Sequence, residues 1–207
     1  MEKNTARLEA FSDGIFGVAI TLLALEIGIQ EYQGANNLNL LERIIEKWPE
    51  YFTYFNSFAT VLLIWMGHNK IFEQLKKSNH WLIFLNGFVL LLVVLFPFPT
   101  KVVGSFIGTA AQETAVAFYA GFTGFITLSM LLLNLVIVNN KSLLISPEKS
   151  IPWLKNMIKG QVLGFIVYEA TAVLAFYYSA IALIITFLMW ILWAVISMDK
   201  NEHSIDG

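Results

Sequence analysis

Arg7, Glu9, Ser12 and Asp13 lead straight into an apolar run, Ile15 to Ile29. Ionic groups at bilayer depth are expensive unless they meet partners or water, so these side chains suit hydrogen-bonded anchoring or contact with ions. His68 and Asn69 on a later apolar stretch, and Asn86 on the next, fall toward the same ends of their segments as Asp13. One layer could hold all four as a network that fixes the rotation of the first helix; each could equally be an interfacial residue touching water. Glu169, deep in a fifth segment, has two readings: a proton relay, or a neutral acid facing the bundle. Glu26, with Glu31, would form an acidic ring drawing in cations if several copies surround an axis; otherwise it is a helix-end charge reaching water. Catalysis has nothing to work with. The chain has no cysteine, no phosphate-cradling glycine loop, no His-Glu-x-x-His pair and no Ser/His/Asp set at one depth. His80 and His203 sit in a loop and a tail, without the ligand spacing of a zinc site. The sequence therefore reads as no enzyme, with no cofactor, no structural metal and no nucleic-acid partner.

The elements that must position these groups are membrane helices. Of 207 residues, 57% are hydrophobic and 14% charged, with a mean hydropathy of +0.66, whereas soluble domains carry roughly 25% charged residues. Six transmembrane spans are expected, at 8–29, 51–72, 80–103, 113–138, 155–177 and 180–198. Gln30 to Glu50 is a polar connection whose amphipathic piece, Leu40 to Ile45, suits the membrane interface. Pro97 and Pro99 kink or stop the third span. A very short turn near Tyr178-Ser179 makes the last two spans antiparallel neighbours. The expected fold is an all-α integral membrane unit over 1–198, followed by a short tail over 199–207. Trp48, Tyr51, Trp81 and Trp153 near span ends behave as an aromatic belt. Gly104-x-x-x-Gly108 and Gly160-x-x-x-Gly164 have the small-residue spacing that lets helices approach closely.

Lysine and arginine bias sets the orientation. With the amino terminus inside, Lys3, Arg7, Lys70, Lys76, Lys77, Lys141, Lys149, Lys155, Lys159 and Lys200 fall on the inner side, and only Arg43, Lys47 and Lys101 outside. Both termini are expected in the cytoplasm. The first run lacks a small-residue cleavage site and reads as a retained span rather than a signal peptide. No internal repeat is visible, so a unit of this kind can enclose an axial path only through the symmetry of an oligomer.

On a wheel of about 100° per residue, Phe11, Val18 and Leu25 fall nearly in line, flanked by Thr21 and Leu22. Asp13 falls on the far side with Glu9, Gly17, Ile20 and Ala24. The expectation is a helix whose apolar stripe lines something while its carboxylates anchor it to neighbouring helices.

Arg7-x-x-x-Phe11-Ser12-Asp13, Trp65-x-x-His68-Asn69-x-x-Phe72, and Asn86 through Pro97-Phe98-x-Thr100 resemble the prokaryotic branch of the transmembrane protein 175 family, relatives of the endosomal and lysosomal potassium channel. The resemblance covers nearly the whole chain. It implies a homotetramer of six-helix subunits in the lipid bilayer of a prokaryotic cell membrane. The first helices would line a central pore permeable to potassium ions, without a carbonyl-lined filter loop; Thr-Val-Gly-Tyr-Gly is absent here. Carried over position by position, the constriction falls on Val18, Thr21, Leu22 and Leu25, and Glu26 would attract cations at the outer mouth. Arg7, Ser12, Asp13, His68, Asn69 and Asn86 would form the structural polar network. Two positions depart from the family pattern: Val18 stands where isoleucine or leucine is usual, and Asn69 replaces the second histidine of a His-His pair. Valine is stiff at χ1, so its ring would be well defined but wider, leaving Leu22 or Leu25 as alternative narrowest layers. The implied function is a cation channel weakly favouring potassium over sodium. The alternative is a secondary transporter, proton-coupled through Glu169 and Asp13; a third reading is a non-conducting scaffold.

Overall fold

The computed structural model describes residues 5–28 and 37–198. Among them the architecture is helical: α1 (Ala6–Leu25), α2 (Asn37–Glu46), α3 (Trp48–Glu73), α4 (His80–Leu95), α5 (Pro97–Phe106), α6 (Gln112–Asn139) and α7 (Pro147–Met198), with one turn of 3-10 helix at Lys141–Leu143. Four stretches are long and apolar enough to cross a membrane: Ala6–Leu25, His80–Phe106, Gln112–Asn139 and Pro147–Val195. α3 is longer than any single crossing requires, but Asn56, Ser57, Thr60, His68 and Asn69 dilute its apolar character. The anticipated tail, and the end of the first anticipated span beyond Gly28, lie outside the described residues.

Local chemistry explains the boundaries. Asn79, extended at φ −130° and ψ 172°, caps α4 by accepting from the Leu82 amide at 2.8 Å. Pro97 cannot donate its nitrogen to the helix, so α4 ends at Leu95 and α5 restarts at Pro97. The prolines interrupt this stretch without stopping it, and it runs on to Phe106 rather than closing at 103. α7 is two helices joined at Tyr178, whose φ of −144° and ψ of 62° are not helical. Trp193 Nε1 donates to Tyr168 Oη at 3.1 Å, and Trp193 also covers Gly164. These contacts join residues on either side of Tyr178, so the two halves run antiparallel, as the short turn predicts.

α6 is the centre of the bundle, packed on α4, α5 and α7. Of its most apolar stretch 56% is buried, against 22% for α1. The far end of α3 is clamped to the α6–α7 connection by three bonds: Ile145 N to Gln74 O and Lys76 N to Leu143 O, each 2.9 Å, and Ser150 Oγ to Gln74 Oε1 at 2.8 Å.

Candidate functional site

No proline interrupts α1, and its inward face is Ser12, Phe16, Ala19 and Leu23, all buried. That spacing of four, three and four is one stripe of a helix. It rests on α3 and α4. The Ser12 hydroxyl donates to the Leu8 carbonyl at 2.8 Å, which leaves its oxygen free to accept from Asn86 Nδ2 at 3.0 Å. With the Asn86 amide nitrogen so used, its Oδ1 accepts from His68 Nε2 at 2.7 Å. The imidazole is held between Phe16 and Phe72, with ring centroids 5.2 and 4.3 Å away. One hydrogen-bonded chain thus crosses three helices in a buried setting, where unmade polar bonds are costly.

The other members of the anticipated network go elsewhere. Asp13 follows Ser12 by one residue and is therefore turned about 100° away; its Oδ1 accepts from Trp65 Nε1 at 2.8 Å. Asn69 Nδ2 reaches Glu73 on its own helix at 3.4 Å, and Arg7 is exposed. The expectation of one shared layer is corrected to a Ser12–Asn86–His68 chain and a separate Asp13–Trp65 bond. The anchoring face differs too. Gly17 and Ala24, expected on the packed side with the carboxylates, are exposed, because Ser12 and Phe16 rather than Asp13 point at the bundle.

The remaining half of α1 packs on nothing among the described residues. Phe11, Val18 and Leu25 are 59%, 52% and 77% exposed. Beside them runs a small-residue stripe, Ala10, Gly14, Gly17, Thr21, Ala24 and Gly28, also exposed. A side chain added at Gly14, Gly17 or Gly28 would meet no atom within 4 Å. Leu22 is half-buried. The Thr21 hydroxyl donates to the Val18 carbonyl at 2.8 Å. Glu26 is half-buried and ion-paired to Lys101 at 2.8 Å, tying the end of α1 to α5. A cleft of about 650 Å³ lies beside that pair, lined also by Arg43, Glu46, Lys47 and Glu50; Lys47 and Glu50 are 2.5 Å apart.

Two buried polar groups escaped sequence reasoning. Tyr119 Oη accepts from Asn56 Nδ2 at 2.9 Å and lies 3.1 Å from Ser57 Oγ, which in turn is 2.7 Å from Thr100 Oγ1. Asn134 Nδ2 donates to Gln161 Oε1 at 2.9 Å, joining α6 to α7. The signal was present as adjacent polar residues inside α3 and as Thr100 following two prolines, but nothing paired them with Tyr119. Each glycine pair has a member with a separate role: Gly104 faces Thr53 and Glu50 and Gly164 faces Trp193, whereas Gly108 takes φ +81° in a turn. The Glu169 carboxyl abuts Gly124, and its Oε1 is buried without a hydrogen-bond partner among the described residues. Among those residues no group of three histidine or carboxylate side chains is placed to hold a metal ion.

The family model of the endosomal/lysosomal potassium channel TMEM175 matches residues 7–97, the segment that contains the Ser12–Asn86–His68 chain. A potassium channel of Chamaesiphon minutus is 36% identical over 120 residues, 58% of this chain and 59% of that protein. A potassium channel of Streptomyces collinus is 34% identical over 117 residues, 56% of each. The matches therefore span somewhat over half the length of these relatives. The crystal structure of a lysosomal potassium-selective channel TMEM175 homolog from Chamaesiphon minutus superposes with a TM-score of 0.84 at 27% identity, covering 95% of this chain and all of that one.

Proposed function

From the premise that the chain belongs to the TMEM175 family, we propose that it forms a potassium-permeable cation channel in a membrane. Its α1 helices would surround a shared axis in a homotetramer. The observation that carries this reading is the split character of α1. One face is fixed to the bundle by Ser12, Phe16, Ala19 and Leu23, while Phe11, Val18, Thr21 and Leu25 on the other are exposed. The small stripe beside them, Gly14, Gly17, Ala24 and Gly28, suits close approach of helices from neighbouring copies.

In this arrangement each subunit crosses the membrane six times, α4 with α5 forming one crossing and α7 two, and both termini are cytoplasmic. Val18, Leu22 and Leu25 make successive aliphatic rings. Such rings gate by dewetting and oblige an ion to shed part of its shell. Potassium holds its water less strongly than sodium and pays the smaller penalty, so a weak preference for it follows. Thr21, with its proton committed to the Val18 carbonyl, offers hydroxyl lone pairs in place of the lost water. Glu26 stands at the outer end of α1, where its ion pair with Lys101 offsets much of its pull on cations.

The test is ion flux into liposomes with potassium or sodium gradients, run beside the mass of the detergent-solubilised oligomer. Faster potassium than sodium flux from a tetramer is expected; a monomer without flux overturns the reading. The partnerless Glu169 oxygen favours the second reading, a proton-coupled transporter. Saturable flux that requires a proton gradient would replace the channel with that mechanism.

A further inference from the structure

α2 is strongly two-sided and buries none of its residues, so its apolar side stays exposed. Leu38, Leu41 and Ile45 recur at spacings of three and four, which puts them on one ridge of α2, and they are 81%, 55% and 63% exposed. The opposite side carries Arg43 and Glu46, which line the charged cleft together with Glu26, Glu50 and Lys101. A surface helix of a water-soluble protein does the reverse, burying its apolar stripe against the core. We propose that α2 lies flat in the membrane–water boundary, its Leu38–Leu41–Ile45 ridge seated among lipid chains and its polar side turned to the hydrated cleft.

Three relationships select lipid as the occupant. The first is position. A single residue, Lys47, separates α2 from α3, so the ridge sits at the level where α3 begins. The second is continuity. Trp48, Phe55 and Leu62 form an exposed stripe along α3 at seven-residue spacing, and its first member lies three positions past Ile45, across the turn at Lys47. The third is size. Ten residues make a helix of about 15 Å, half the roughly 30 Å hydrocarbon thickness, so it cannot cross and must lie along the surface. One face of so short a helix is also far below the area of about 800 Å² per partner that a stable protein interface buries. Amphipathic helices with aromatic and aliphatic anchors insert shallowly at the headgroup boundary, and tryptophan concentrates there. The proposal is independent of whether the protein conducts ions.

The natural absence of cysteine allows a direct measurement. Single-cysteine variants Leu41→Cys, Ile45→Cys and Glu46→Cys in the full-length protein are spin-labelled and reconstituted into phospholipid vesicles. Collision with oxygen, which partitions into lipid, is compared with collision with a water-soluble nickel chelate. The oxygen-to-nickel ratio is expected to be several-fold higher at 41 and 45 than at 46. High nickel access at 41 and 45 would mean that the ridge faces water, and low access to both reagents would mean that protein covers it, for instance a second copy; either result overturns the proposal. If a labelled variant does not insert, brominated-lipid quenching of the native protein is compared with that of Trp48→Phe. Loss of a strongly quenched component supports the lipid contact, and an unchanged quenching curve overturns it.

Discussion

Asn86 Nδ2 meets Ser12 Oγ at 3.0 Å across 74 positions of sequence, while the same amide's oxygen takes the His68 Nε2 bond at 2.7 Å. Asn86 is the middle link between α1 and α3, so its removal strands both neighbours. Asn86→Ala should cost about 1–3 kcal/mol, the usual penalty for unsatisfied buried partners, and Ser12→Ala less. Thermal unfolding in detergent measures both. Equal melting temperatures for Asn86→Ala and the native protein would show that the chain adds nothing to stability.

Asp13 holds Trp65 rather than joining that chain. Asp13→Asn keeps an acceptor for the indole and should be nearly native, whereas Asp13→Ala should lower the yield of assembled protein more than it alters permeability ratios. A normal yield of the assembled protein combined with altered permeation would reverse that assignment. Trp65→Phe, which removes the donor alone, should cost about 1 kcal/mol by the same melting measurement.

Tyr119 gathers α3 and α6 through Asn56 and Ser57. Tyr119→Phe preserves the ring packing against Phe96, at a centroid distance of 5.4 Å, but deprives the buried Asn56 Nδ2 of its partner and Ser57 of one of its two. A loss of about 1–3 kcal/mol is expected, larger than for a tyrosine hydroxyl facing water such as that of the exposed Tyr177. Comparing the melting of Tyr119→Phe with that of Tyr177→Phe isolates the effect of the network.

Thr21, exposed on α1, donates its proton to the Val18 carbonyl of its own helix. In the proposed channel, Thr21→Ser keeps the hydroxyl oxygen and should retain the potassium preference, whereas Thr21→Ala should shift the bi-ionic reversal potential toward zero. An unchanged reversal potential in Thr21→Ala removes the hydroxyl from the selectivity mechanism.

The glycines fall into those that meet atoms of their own subunit and those that meet none within 4 Å among the described residues. A Cβ at Gly104 would fall 2.7 Å from Thr53 Oγ1 and 3.4 Å from Glu50 Cα, and Thr53 is held in place by bonds to the Pro49 and Glu50 carbonyls. Gly104→Ala should therefore destabilise the subunit by about 1–3 kcal/mol, the range for overpacked sites. Gly14 has nothing within 4 Å inside the subunit. If its stripe packs between copies, Gly14→Ala should alter the oligomer distribution in native mass measurements while the helical content is unchanged.

Particular elements mark how far the sequence could be read. The short turn at Tyr178 was legible because α7 carries far more apolar residues than one bilayer crossing can use, so the chain must turn back. The break at Pro97 was legible because proline has no amide proton, yet the continuation to Phe106 was not. Restarting a helix after a proline depends on what the next turn packs against, here α3 and α6. The glycine spacings were visible, but which member of each pair meets a neighbour was not, since that depends on the rotation of the facing helix.

The sequence by itself determined that this is a membrane protein of long helices and that α1 has two unlike faces, because transfer free energy and helical periodicity act residue by residue along the chain. Only the tertiary structure decided that Ser12 rather than Asp13 meets Asn86, that Tyr119 joins Asn56 and Ser57, and that Glu26 is paired with Lys101. Those outcomes depend on helix rotations set jointly by side chains 50 to 75 positions apart, where one residue of offset turns a side chain by about 100° and no local pattern records the partner.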